Sequence, residues 1–392
     1  MTDKFKLSPN WQDEVRVTLS GVYRGDDSNT LSSTANTDGT YLNYQNLRQK
    51  TIKAGSLFDN ANTGGIVSTY TLLYTASLAY WGGVINTNGD LHFAPWNANR
   101  GQKISTRTGT VSTYSLVRTG ATQYAGGVLA PNGDIHFVPL AATVGQKVSA
   151  SGLVSTYSLL HLAINSSYWG GAVSANGEVH FAPYRASLGQ KIKTDGTVAT
   201  YSLVHTHTSG DVNGAYAGAV LDKNGDIHFV PRQARVGQKV SANGTVSTYS
   251  LAYTTTTAYA GGVLDMNGDI HFAPYGAAVG QKISGSTGLA STYALVSTAT
   301  NGYAGAVLAP NGDVHFIPSS ATVGQKVSSS GVVSTYSIIF GTTNNFGGGV
   351  IDDNGEIHYI PLSAPRGQKI STLPAQKHSP AYIRSGLAGT KF

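Results

Sequence analysis

Gly126-Gly-Val-Leu-Ala-Pro-Asn-Gly-Asp-Ile-His-Phe-Val-Pro139, followed by Gly145-Gln-Lys147, is the stretch whose reading decides the fold. Variants of it occur seven times. The repeated histidines are His92, His136, His180, His228, His271, His315 and His358, at spacings of 44, 44, 48, 43, 44 and 43 residues. A period in this range marks a stacked or radial repeat architecture.

One copy reads as two hairpins. Tyr124 to Ala130 is a short apolar strand A, and Pro131-Asn-Gly-Asp134 is its turn, since Asn-Gly between strands is a strong hairpin signal. Ile135 to Pro139 returns as strand B, ended by the proline. Gly145 to Ser149 reads as strand C, and Leu153 to Leu159 as strand D after a turn at Ser151-Gly152. Four antiparallel strands in about 44 residues make a propeller blade. Strand A is small and apolar in every copy, as in Trp81-Gly82-Gly83, Ala125-Gly126-Gly127, Trp169-Gly170-Gly171 and Ala217-Gly218-Ala219, so it is expected innermost, where glycine and alanine let backbones approach closely. The expected fold is therefore all-β: a seven-bladed propeller of four antiparallel strands per blade.

Counting suggests how the ring closes. The strand-D tyrosines are Tyr70, Tyr114, Tyr157, Tyr201, Tyr249, Tyr293 and Tyr336, and the first precedes any strand A. The last blade then takes its strand D from Ile66–Leu72, which removes an open sheet edge. Residues 49–54 and 367–372 both read as a strand C for that blade. The expected organisation is an N-terminal arm over 1–48, the propeller over 49–372 and a basic C-terminal tail over 373–392.

Composition narrows the function classes. Charged residues are only 12%, with 48 glycines and 22 tyrosines, which suits short strands and tight turns. The net charge of +6 is spread without a basic block, so nucleic-acid binding is not expected. There is no cysteine, which excludes disulfides and thiolate metal sites. No apolar run approaches a bilayer-spanning length, so membrane insertion is not expected. The first residues show no secretory signal. No nucleophile elbow, phosphate loop or zinc-protease motif is present.

Each strand B carries an acid two residues before its histidine: Asp90/His92, Asp134/His136, Glu178/His180, Asp226/His228, Asp269/His271, Asp313/His315 and Glu356/His358. Such residues share a face and read as structural pairs that satisfy buried polar groups, not as metal sites, which need three or four converging ligands. The lysines of the Gly-Gln-Lys triplets read as partners of nearby carboxylates. With every acid–base pair belonging to the repeat, no catalytic residue, metal or cofactor is expected, and the chain reads as non-enzymatic.

Function is expected where the copies diverge. The B–C loops carry Trp96, Arg100, Tyr184, Arg185, Arg232, Arg235, Tyr275 and Arg366. Aromatics and arginines gathered on one rim have the composition of a recognition surface. The longest D–A loop holds His205, His207 and Asp211 and reads as a polar surface loop.

The repeat core at 126–139 resembles the kelch-like propeller repeats of tailed-bacteriophage structural proteins. That resemblance covers roughly residues 65–372. It implies a virion component of tail or capsid, made in the host cytoplasm, whose terminal arms and loop face bind other virion proteins. The alternative is a multivalent carbohydrate-binding propeller that recognises a host-surface glycan.

Overall fold

The computed structural model describes residues 65–162, 166–207 and 214–372, together with the short strands Lys4–Phe5, Arg24–Gly25 and Leu31–Ser32. The chain divides into two units, Val67–Ser371 and a second formed by Met1–Ile66 with Thr372–Phe392. In the second unit the three short strands form an antiparallel sheet with Leu31–Ser32 in the middle. The expected arm over 1–48, the tail over 373–392 and the competing strand at 49–54 otherwise lie outside the described residues.

Val67–Ser371 is a ring of seven four-stranded antiparallel sheets. Blade 1 has strand A at Tyr80–Ile85, B at Asp90–Pro95, C at Arg100–Ser105 and D at Val111–Ser115. Blade 2 repeats this with Tyr124–Leu129, Ile135–Pro139, Val144–Val148 and Val154–Ser158. Blade 7 is built from Phe346–Ile351, Glu356–Pro361 and Gly367–Ser371, with Val67–Tyr70 paired antiparallel to the last of these. Its outer strand thus comes from ahead of blade 1, and Gly367–Ser371 holds the strand-C place.

The A–B turn differs in detail from a two-residue hairpin. The Ala130 N–H donates to the Asp134 carbonyl, and the Gly133 N–H donates to the Ala130 carbonyl. Gly133 has φ +85°, so the glycine takes the left-handed place of a longer turn closed by a bulge.

Strand A lines the axis, and its glycines explain how seven strands fit there. A Cβ on Gly82, Gly170 or Gly261 would lie 2.8–2.9 Å from the Cα of the corresponding glycine in the next blade. All three have positive φ. The strand bulges at this point, and only glycine allows both the conformation and the approach.

The triplet Gly-Gln-Lys has a separate task for each residue. A Cβ on Gly145 would stand 2.1 Å from the Tyr157 ring of strand D, so the glycine is the seat of that ring. Gln146 is wholly buried, and its Oε1 accepts the N–H groups of Val117 and Arg118 from the preceding blade. The same latch holds in all seven blades at 2.7–3.1 Å, ending with Gln368 on Ile339 and Phe340. The lysine pairs at 2.5–2.7 Å with the strand-B acid of its own blade, as in Lys147–Asp134.

The repeated histidines are buried and turned toward strand D. Six accept or donate through Nδ1 to a tyrosine hydroxyl at 3.1–3.3 Å: His92–Tyr114, His136–Tyr157, His180–Tyr201, His228–Tyr249, His271–Tyr293 and His315–Tyr336. In the closing blade, the Tyr70 hydroxyl and His358 Nδ1 lack such a partner. The acid and histidine of one strand thus serve different neighbours, lysine and tyrosine. Of the seven strand-B pairs, Glu178 and His180 alone come within 4 Å of each other, at 3.7 Å.

Candidate recognition site at the axial mouth

Two residue positions per blade meet where the axis opens on the face of the D–A and B–C loops. The first is the second residue of strand A: Trp81, Ala125, Trp169, Ala217, Ala260, Ala304 and Gly347. The second follows the proline of strand B: Trp96, Leu140, Tyr184, Arg232, Tyr275, Ser319 and Leu362. A backbone circle fixes the second position. Each of these N–H groups donates to the residue preceding strand A in its own blade, at 2.7–3.0 Å. Each of these carbonyls accepts from the equivalent N–H of the next blade, at 2.6–3.0 Å. Ala79 N–H to the Leu362 carbonyl joins blade 1 to blade 7.

Side chains from all seven blades form one apolar cluster here. Trp169 is its hub. Its ring centroid lies 5.0 Å from Trp81, 5.1 Å from Trp96 and 5.0 Å from Tyr184. Trp81 and Trp96 are 5.2 Å apart. These tilted and edge-on contacts suit the aromatic quadrupole. The Arg232 guanidinium lies 4.9 Å from the Trp169 ring and 4.5 Å from the Tyr275 ring. The contacts therefore run through blades 1, 3, 4 and 5 and bridge the mouth. Two indoles fit only because blades 2 and 4 to 7 place alanine or glycine at the strand-A position.

Trp81, Tyr184, Arg232 and Tyr275 are buried, while Trp96 and Trp169 are half-buried. The Tyr184 hydroxyl is raised by burial and drawn back down by Arg232 and Arg185 beside it. Of the loop residues singled out from sequence, Trp96, Tyr184, Arg232 and Tyr275 converge here, and Arg185 stacks at 5.8 Å on Tyr184. Arg100, Arg235 and Arg366 are exposed and do not belong to the cluster. Sequence reasoning placed Trp81 and Trp169 on the inner strand but missed them as site residues. The available signal was two tryptophans at a position that is otherwise alanine or glycine.

Among the described residues, two groups could offer three ligand atoms to a cation: Asp222, Asp226 and His228, and Asp352, Glu356 and His358. Asp222 and Asp352 lie six residues before their histidines, a spacing that the two-residue pairing overlooked. Within these groups Asp226 is held by Lys239 and Glu356 by Lys369. His205 lies 3.3 Å through Nδ1 from the Tyr216 hydroxyl, and Asp211 lies outside the described residues.

No protein-family model matches the chain, and no curated protein matches its sequence. Solved structures do match. A streptogramin B lyase aligns with TM-score 0.67 and 18% identity, covering 79% of this chain and 98% of that one. A catalytically inactive variant of virginiamycin B lyase from Staphylococcus aureus with quinupristin aligns with TM-score 0.68 and 16% identity, covering 79% and 99%. Hydrazine synthase from Kuenenia stuttgartiensis aligns with TM-score 0.57 and 11% identity, covering 76% and 97%. The likeness fixes the fold. At these identities it carries no activity across.

It corrects one expectation and lends no support to another. These matched rings are enzymes, so the reading of the chain as non-enzymatic, drawn from an absence of familiar motifs, does not stand. A propeller can support chemistry at a site that no short motif announces. The kelch-like and bacteriophage resemblance is likewise not met by these neighbours, none of which is described as a phage protein.

Proposed function

We propose that the protein is a recognition propeller with one binding site, the aromatic–arginine cluster at the axial mouth, and that its ligand is a carbohydrate. The observation that carries this is the convergence of half-buried Trp96 and Trp169 with Tyr184, Tyr275 and Arg232. Indole faces at a water boundary suit the apolar face of a pyranose ring, and arginine and tyrosine supply polar contacts at its edge. Among the described residues the aromatic–arginine contacts gather at the axis instead of recurring on each blade, which supports one axial site over one site per repeat. Set on a particle with the terminal segments as anchors, such a site would meet a host-surface glycan; that setting rests on the repeat resemblance alone.

A glycan array probed with the full chain and with Trp96→Leu tests the reading. Leucine occupies the same ring position in blades 2 and 7 as Leu140 and Leu362, so the variant keeps a residue the ring already accommodates. Retention of a defined glycan set, weakened about tenfold in Trp96→Leu, is the expected result. No retained glycan, or equal retention by both proteins, overturns it.

A further inference from the structure

We propose that the axial site selects an acidic glycan, with Arg232 as the residue that binds the ligand's carboxylate or sulfate; this rests on the carbohydrate reading above. Arg232 is only 6% exposed. Its Nε and Nη1 have no hydrogen-bond partner, and it forms no ion pair among the described residues. Its surroundings are the rings of Trp169 and Tyr275 and the hydroxyl of Tyr184.

A buried cation without a counter-charge is costly. Stacking on two rings recovers part of that cost, and a structural role alone would not need the charge. The other six blades place Trp, Leu, Tyr, Tyr, Ser and Leu at this position, so the ring closes without a cation. A ligand anion supplies the missing acceptors, and charge-assisted hydrogen bonds to guanidinium are among the stronger polar contacts.

A second polar pair lies farther round the same ring. Ser319 Oγ is buried without a partner, as is the Nδ2 of Asn345, whose backbone N–H donates to the Ser319 carbonyl. A hydroxyl and an amide that retain hydrogen-bonding capacity, together with an unneutralised guanidinium, match a ligand bearing both hydroxyls and one negative charge.

The test is an array of matched neutral, uronic-acid and sulfated oligosaccharides, probed with the full chain and with Arg232→Leu, again a residue found at this ring position. The expected result is retention of acidic members at least about tenfold above their neutral counterparts, lost in Arg232→Leu, while its melting temperature stays close to the parent. Carboxylated and sulfated arms tell the two anion sources apart, and preference for either supports the proposal. Equal retention of neutral and acidic members, or unchanged acidic retention by a folded Arg232→Leu, overturns the proposal and leaves carbohydrate binding intact. No retention of any glycan removes both. Should Arg232→Leu fail to fold, the parent's acidic-to-neutral ratio decides alone.

Discussion

Replacing Gln281 by leucine tests the latch between blades. Its Oε1 accepts the Ala252 N–H at 2.9 Å and the Tyr253 N–H at 2.7 Å, and the side chain is wholly buried. Leucine has a similar volume but no acceptor, so two donors lose their partner in a dry place. At about 1–3 kcal/mol for each of the two unsatisfied groups, less about 1 kcal/mol for burying the more apolar side chain, the net loss is about 1–5 kcal/mol. An unfolding entropy of about 2.1 cal/mol/K per residue gives about 0.6 kcal/mol/K for a body of roughly 300 residues. The melting temperature, followed by circular dichroism, should therefore fall by about 2–8 °C. The neighbouring Lys282→Met is the control. Its side chain is more than one-third exposed in the pair with Asp269, and such pairs contribute about 1 kcal/mol or less, so the fall should stay under about 2 °C. A Gln281→Leu protein that melts within about 1 °C of the parent refutes the latch. Equal losses in both variants would show that the triplet acts through its charge.

Three further outcomes follow from the same geometry. Gly145→Ala places a methyl 2.1 Å from the Tyr157 ring, whose hydroxyl meets His136; overpacking there should destabilise by about 2–4 kcal/mol in urea melts, and Gly152→Ala, whose Cβ would meet nothing within 4 Å but whose φ is +87°, should cost about 1–2 kcal/mol. Burial holds the imidazoles of His92, His136 and His180 down at about 4. The unfolded chain takes up these protons near pH 6.5 and the folded ring does not, so stability is full above pH 6.5 and falls steadily toward pH 4; urea midpoints between pH 7.5 and 4.5 should show that slope, flattened in His136→Gln. Hydrogen exchange should be faster in Val67–Tyr70 and Gly367–Ser371 than in the outer strands of blades 2 to 6, because the closing blade joins distant chain segments and lacks the tyrosine–histidine bond found in the other six.

The blades were readable because every cue for them is local. The Asn-Gly turn, the closing proline and the small inner strand all lie within one copy, and the bulge glycines appear as the Gly-Gly of strand A. The role of Gln146 was not readable, because its partners lie 28 and 29 residues earlier and belong to another blade. The acid and histidine of strand B suggested a pair by spacing, yet register sends one to the lysine of strand C and the other to the tyrosine of strand D. At the site, Trp96 and Arg232 were visible as departures in the loops. Trp81 and Trp169 were hidden in a strand, and the convergence of the four became evident only once the ring was closed.

The most direct measurement is an indole N–H spectrum of the tryptophan-labelled protein during titration with a glycan retained on the array. The chain has four tryptophans, and three of them, Trp81, Trp96 and Trp169, stand at the axial mouth. The account predicts that the Trp96 and Trp169 signals shift with ligand. Saturable binding that leaves both unshifted would place recognition elsewhere on the chain.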